Sequence, residues 1–297
     1  MKIDICICTF RRPFVTETMA SIEKMVRPEK AELRIVIVDN DDTPSAEARV
    51  TEAAAGMTIP VTYVHAAGAN ISIARNAALD AADADWVAFL DDDEIVDPDW
   101  LVELIKRQVK TKADAVFGPS RAIYDEATPD WIVDGDFHSQ AAVYRNGVVE
   151  TGHTCNALLR WGNAPWRDQR FELERGKSGG EDTEFFFRLR KMGATYAIAE
   201  HAIVREEVPA ERLQLDWLLR RRFRIGQSYS ATAVSGPARA VLFVTAAAKS
   251  AYSYLRAVLS LFNTERRAFW LMRGTMHAGV CAGCLRLRQS TLYGGSE

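Results

Sequence analysis

Five short apolar runs, each separated by a stretch that reads as a helix, constrain this chain more than any other feature. Residues 3–8, 33–38, 61–65, 86–90 and 113–117 are rich in Ile, Val and aromatic residues. Between them, 13–27, 44–56, 71–82 and 98–110 carry helix-like patterns, the last opened by Pro98 after Asp97. Such alternation predicts right-handed crossovers and a mostly parallel sheet covered on both faces, an α/β domain. Ligands of such sheets bind beyond the carboxyl ends of the strands. There this chain places CTFRRP after the first run, VDNDD after the second and LDDDE after the fourth.

The fourth run, in WVAFLDDDEIVDPDW, ends in Asp91, Asp92, Asp93 and Glu94. Adjacent carboxylates repel one another. A solvated loop with its charges turned apart tolerates them; so does a divalent cation, because Mg²⁺ and Mn²⁺ need hard oxygen ligands held close together. Further along, 120–180 is irregular and rich in turns and Trp, with strands expected near 140–149 and 154–160. GGEDTEFFFRLRKMG then reads as a helix. Glu181, Asp182 and Glu184 fall in its first turn, where the helix dipole favours anions, and Gly193 ends it.

The formal charge of −3 hides an asymmetry. Residues 201–297 hold 14 Lys and Arg against 6 Asp and Glu, and the remainder 23 against 34. An acidic body with a basic tail points to an anionic partner for the tail: membrane headgroups, diphosphates or nucleic acid. The five cysteines (Cys6, Cys8, Cys155, Cys281, Cys284) are odd in number, and the start MKIDICICTF alternates like a strand and lacks the apolar core of an export signal. A reducing, cytoplasmic setting is expected. Cys281 and Cys284 form one C-x-x-C without a second ligand pair, so a thiol pair on a helix is expected rather than zinc. No apolar run reaches the ~20 residues of a bilayer span.

Taken in order, ICICTFRRP, IVIVDND, NISIARNAAL, FLDDDEIVDPDWL and GGEDTEFFFRLRKMGA resemble the family 2 glycosyltransferases over roughly the first 200 residues. CTFRRP and WLLRRRFRIGQS look closest to bacterial exopolysaccharide enzymes of the succinoglycan kind. The resemblance implies the GT-A (nucleotide-diphospho-sugar transferase) fold, with a catalytic domain over 1–205 and a basic, helical region over 206–297. It also implies an inverting, metal-dependent hexosyltransferase that moves sugar from a UDP-sugar to a saccharide acceptor in surface-glycan synthesis.

Residue by residue, the resemblance assigns Asp91 and Asp93 to the D-x-D motif that holds Mn²⁺ or Mg²⁺ against the diphosphate, with Asp93 the leading ligand. Asp91 and Asp92 divide ribose and supporting contacts, and sequence does not say which takes which. Glu94 is expected to point outward. Asp39 matches the position that accepts a bond from uracil, with a helix cap as the alternative. Thr9, Phe10 and Arg11 match the loop beside base and diphosphate. Arg75 is placed near the nucleotide or in a helix-surface ion pair. Asp182 is the expected general base, with Glu181 beside the acceptor as its fallback. Asn156, Trp161 and Trp166 fall where an acceptor sugar would bind, unless the tryptophans are core. His201 is a lesser metal candidate.

In the tail, PARAVLFVTAAAKSAYSYLRAVLSLF puts Arg239, Lys249, Ser253, Arg256 and Ser260 on one helical stripe amid apolar residues. This pattern suits either a helix lying in a membrane interface or one packed on the catalytic domain. The expected placement is peripheral, at the inner face of the cytoplasmic membrane, near a polyprenyl-diphosphate-linked acceptor. A nucleotidyltransferase would carry a glycine-rich loop where CTFRRP stands. A non-catalytic sugar or nucleic-acid binder would not need the acidic set, and nucleic acid is not an expected partner.

Overall fold

A computed structural model describes residues 1–177, 179–230 and 235–287. In chain order the elements are β1 (Lys2–Thr9), α1 (Val15–Lys24), β2 (Glu32–Asp39), α2 (Glu47–Ala55), β3 (Val61–His65), α3 (Ile71–Ala81), β4 (Trp86–Asp91) and β5 (Glu94–Val96). They continue with α4 (Trp100–Thr111), β6 (Ala115–Phe117), β7 (Ser120–Ile123), α5 (Asp130–Gly135), β8 (Tyr144–Arg145), β9 (Val148–Val149) and β10 (Asn156–Arg160). Last come α6 (Glu181–Lys191), β11 (Tyr196–Ile198), β12 (Val204–Glu207), α7 (Leu215–Ser230), α8 (Gly236–Val258) and α9 (Thr264–Cys284).

The main sheet has seven strands in the order β11-β6-β10-β4-β1-β2-β3. It is parallel except for β10, which runs antiparallel to both β4 and β6. Period-two alternation divides its core. Ile3, Ile5 and Ile7 point with Ile35 and Ile37 to one face, under Met19 of α1, Val50 of α2 and Trp100 of α4. Cys6, Val36, Val38, Val87 and Phe89 point to the other, under Ala78 of α3 and Phe185 of α6. Each such fully buried branched or aromatic side chain contributes ~1.5–3 kcal/mol over leaving it exposed. A partly buried ion pair spans the β1–β2 register: Asp4 sits opposite Arg34 and accepts two bonds from its guanidinium, at 2.8 and 2.7 Å. The same carboxylate takes the Asp83 and Ala84 amides, so it is well satisfied.

The chain divides into two compact units. The first comprises Met1–Arg121, Ser139–Lys177 and Glu181–Glu207; the second includes Ala122–His138 and the chain from Val208. The sequence reading drew one boundary at 205 and left 122–138 with the catalytic domain. In the second unit α9 packs against both α7 and α8. The α7–α9 seam is made of glycines: a Cβ on Gly226 would lie 2.0 Å from the Met276 carbonyl, and one on Gly279 2.0 Å from the Phe223 carbonyl.

The buried side of α8 is a row of small residues, Ala246, Ser250, Ser253 and Ala257, with the Ser250 hydroxyl donating to the Gly274 carbonyl of α9 at 2.9 Å. This corrects the sequence reading, which placed Ser253 and Ser260 on a cationic stripe facing membrane headgroups. Both are buried, and Val241, Val244, Leu255, Val258, Leu259 and Phe262 face outward instead. Arg256 lies over the Trp270 ring, 5.0 Å from its centre. Cys281 and Cys284 are free thiols packed with Leu242 and Phe243, and burial raises the pKa of both.

Alanine in a helix interior is normally favoured over glycine by up to ~1 kcal/mol. Gly279→Ala should reverse that sign, because the added methyl overlaps a carbonyl, and cost ~1–3 kcal/mol. Gly236→Ala, with open space around its Cβ position, should be neutral or mildly stabilising. Thermal melts of the two variants provide the comparison.

Candidate active site

The strand ends that carry the polar loops are level with one another: Cys8 pairs with Asp91, and Thr9 with Asp39. At the end of β4 the chain turns at once into β5, so the four acidic side chains diverge. Asp91 and Asp93 keep 42% and 24% of their side chains exposed. Asp92 is buried, accepting the Thr9 hydroxyl at 2.7 Å and the Arg12 guanidinium at 2.9 Å. Arg12 also reaches Asp93, at 2.5 Å. Glu94 is 1% exposed and accepts the Asp91 amide at 3.1 Å. This overturns its expected outward orientation: a carboxyl beneath Asp91 supports the turn. Burial, reinforced by Asp91, raises its pKa well above the ordinary value.

Arg75 is neither a surface pair nor open to solvent. Its guanidinium is buried, ion-pairs with Glu181 at the start of α6, and stands 3.6 Å from Asp91. One guanidinium thus ties the acidic turn after β4 to the first turn of α6. The rest of NISIARN fixes the loop before that helix. Asn70 caps α3 and donates to the Leu173 carbonyl, Ser72 donates to the Glu172 carbonyl, and Asn76 bonds Phe171.

In α6, Asp182 accepts the Thr183 amide at 2.6 Å on one oxygen and meets His153 Nδ1 at 3.2 Å on the other. Burial would raise its pKa, but His153, Arg75 and the Thr183 amide outweigh that and bring it to about 2. The carboxylate is therefore ionised at neutral pH and can accept a proton. Glu181 places one oxygen on Arg75, while Oε2 is buried without a hydrogen-bond partner among the described residues. His153 and Arg12 were both missed in the sequence. A lone histidine 29 residues from its partner gives no signal, whereas the arginine pair in CTFRRP did, but only Arg11 was read from it.

Other expected site residues are placed differently. Asp39 is fully buried. It accepts the Asp41 amide at 3.0 Å, the Ala46 amide at 2.7 Å and the Tyr63 hydroxyl at 2.8 Å. Its carboxylate organises the loop into α2, whose N-cap is Ala46. Arg11, at φ 55°, turns away from the acidic cluster to bond Asp41 at 2.8 Å, and that bond holds Asp41 at about 2. Phe10 is exposed, with Arg11 over its ring at 4.9 Å.

Trp161 and Trp166 are core. Trp161 is packed against Arg167 and Arg170, and Trp166 donates its indole N–H to the Arg160 carbonyl. Rings without exposed faces offer a sugar no platform, so both leave the acceptor site. Asn156 leaves it too: it is buried, bonded to the Trp100 indole and to the Pro119 and Ala202 carbonyls. His201 is exposed in the turn before β12. Among the described residues no three His, Cys, Asp or Glu side chains gather as a metal cage, so His201 is not brought to Asp91 and Asp93.

The donors still fit a divalent cation. Mg²⁺ typically uses one or two carboxylates and takes its other oxygens from phosphates and water, and Asp91 and Asp93 are the accessible hard oxygens of the turn.

Burial pushes Asp92 up to about 7, against the pull of Arg12 and the Thr9 hydroxyl. Between its unfolded value of ~3.9 and about 7 the folded state binds more protons. The stability this proton confers is full below pH ~4 and is lost as pH rises through about 7. Asp92→Asn should therefore match wild type near pH 4 and exceed it at pH 8 by on the order of 4 kcal/mol without added cation, as read from denaturation at each pH.

Residues 4–162 match the model of Glycosyl transferase family 2. The succinoglycan biosynthesis protein ExoM of Rhizobium meliloti (strain 1021) is 44% identical over 300 residues, which cover 100% of this chain and 97% of that protein. The mannosyltransferase PcManGT from Pyrobaculum calidifontis, solved with GDP-Man and Mn²⁺, superposes with a TM-score of 0.64 at 18% identity, over 95% of this chain and 86% of that one. S. aureus TarS 1-349 in complex with UDP superposes with a TM-score of 0.54 at 14% identity, over 96% and 90%. These two likenesses carry the GT-A fold; the sequence relationships carry the family. The chain is a glycosyltransferase and belongs to glycosyl transferase family 2.

Proposed function

We propose that the enzyme transfers a sugar, with inversion, from a UDP-sugar to a lipid-linked saccharide acceptor during exopolysaccharide synthesis. The observation that carries this reading is the Arg75 bridge: one guanidinium pairs with Glu181, stands 3.6 Å from Asp91 and feels the charge of Asp182. Asp91 and Asp93 would hold Mn²⁺ or Mg²⁺. Such a cation, when bound, neutralises charge on a departing nucleoside diphosphate. The relatives support the parts of the reading unequally: one is named for succinoglycan biosynthesis, while the superposed structures hold GDP-Man with Mn²⁺ in one case and UDP in another.

Asp182 takes the proton of the acceptor hydroxyl as that oxygen attacks the anomeric carbon. The bond from that carbon to the diphosphate breaks on the opposite face, and the diphosphate leaves with the electron pair. Arg75 keeps α6 in register with the donor site through its ion pair with Glu181. Asp182→Asn should keep affinity for UDP-sugar and cation yet lose ~10²–10⁴-fold in turnover. Asp93→Ala should lose both cation-dependent binding and turnover. Release of UDP from a panel of UDP-sugars, with and without Mn²⁺ and with membrane lipid extract as acceptor source, tests the assignment. Wild-type turnover by Asp93→Ala overturns it.

For the tail we infer attachment to the anionic cytoplasmic leaflet through α8. Val241, Val244, Leu255 and Val258 of α8, with Leu259 and Phe262 just beyond it, are exposed among the described residues, Phe262 fully so. Among the described residues no helix is long and apolar enough to cross a membrane, so this face suits lying in the interface. Lys249, Arg266 and Arg273 add positive charge on α8 and α9, worth ~1 kcal/mol each near anionic lipid. Wild type should float with anionic vesicles and less with neutral ones. Leu255→Glu with Leu259→Glu should abolish flotation while the melt is kept, because neither side chain is packed.

A further inference from the structure

We propose that Arg12 is a resident counter-cation of the donor site, which yields the Asp92–Asp93 carboxylates only when a divalent cation and a diphosphate arrive together. The inference rests on the metal-dependent donor site proposed above and assigns it a gate.

The geometry is specific to Arg12. A single nitrogen, Nη1, lies 2.9 Å from Asp92 Oδ1 and 2.5 Å from Asp93 Oδ2. The remaining Asp92 oxygen is taken by the Thr9 hydroxyl, so the guanidinium covers what is left of that buried carboxylate. A cation that needs the Asp93 oxygen cannot share it with a guanidinium, because the two positive charges repel. Arg12 must move first. Leaving costs it two charge-assisted hydrogen bonds, which are restored only if another anion stands nearby. A diphosphate is such an anion, and it presents the paired oxygens that a planar guanidinium fork matches.

Arg75, the other arginine at the cluster, is not free to play this part. It is buried, pinned by Glu181 and packed near the Phe171 ring. Arg12 keeps 38% of its side chain exposed and sits in the connection between β1 and α1, just after the left-handed turn at Arg11. It has room to swing. A cation alone therefore meets an occupied seat, and a diphosphate alone meets the three carboxylates of the turn. Each ligand removes the obstacle to the other, so their affinities are coupled, and by linkage equally in both directions.

Binding of Mn²⁺ to the full chain, read from the electron-spin-resonance signal of the free ion, tests this without reference to turnover. Wild type should bind Mn²⁺ about tenfold more tightly with saturating UDP than without, within the usual range of coupling between sites. Arg12→Gln should bind Mn²⁺ alone about tenfold more tightly than wild type does, and UDP should then add little. Arg12→Lys, which keeps the positive charge, should stay close to wild type. Equal Mn²⁺ affinity of Arg12→Gln and wild type without nucleotide overturns the gate and leaves the donor site standing, provided UDP still tightens both. Wild type that takes no Mn²⁺ with or without UDP overturns the donor site and the gate together. Where Arg12→Gln gives no cooperative melt, the wild-type measurement decides: Mn²⁺ affinity indifferent to UDP overturns the proposal.

Discussion

Mutual repulsion among the carboxylates after β4 is the constraint to which the rest of the catalytic unit answers. Four acidic groups on consecutive residues cannot all stay charged and close without compensation. The fold disposes of each differently. Glu94 is buried with its pKa raised, Asp92 is buried between Thr9 and Arg12, Asp93 leans on Arg12, and Asp91 faces Arg75. The two arginines arrive from different elements, one after β1 and one in α3. Compensating the cluster thereby draws the β1 loop and α3 toward the same turn, and α6 follows through Glu181.

The clamp between α3 and the loop over 171–176 serves that arrangement. Asn70, Ser72 and Asn76 spend their polar groups on that loop's backbone, and the approach is so close that a Cβ on Gly176 would overlap the Asn70 side chain. The loop leads into α6, so the position of Asp182 is inherited from α3. Around Arg75, the other polar residues of the motif work as scaffold.

The alternating pattern gave the sheet because period and burial are local properties: β3 falls on the run at 61–65, and the acidic turn lies where the fourth run ends. Roles within the site were less legible, for physical reasons that can be named. Asp39 offered two uses for one carboxylate, and its bonds to the Ala46 and Asp41 amides, made within the loop into α2, have no signal in the sequence. Arg11 and Arg12 are adjacent and alike; the left-handed backbone at Arg11 sends one to Asp41 and the other to the cluster. Tryptophans in a turn-rich stretch fit a sugar platform or a core equally well until Arg167 and Arg170 are seen beside Trp161. On α8 the helical stripe was visible, but which side faces α9 depends on Gly274, a residue 24 positions beyond Ser250.

The glycine seam between α7 and α9 has a consequence for how such a tail can change over generations. Gly226 and Gly279 each stand against a backbone carbonyl of the other helix, which has no rotamer with which to yield. A larger residue on either side forces the helices apart along their length, so this seam tolerates no gradual drift by single steps. The outer face of α8 is under no such restriction, since any apolar side chain fits open space. The second unit can thus exchange the chemistry of its outward surface from lineage to lineage while the helix pair beneath stays fixed.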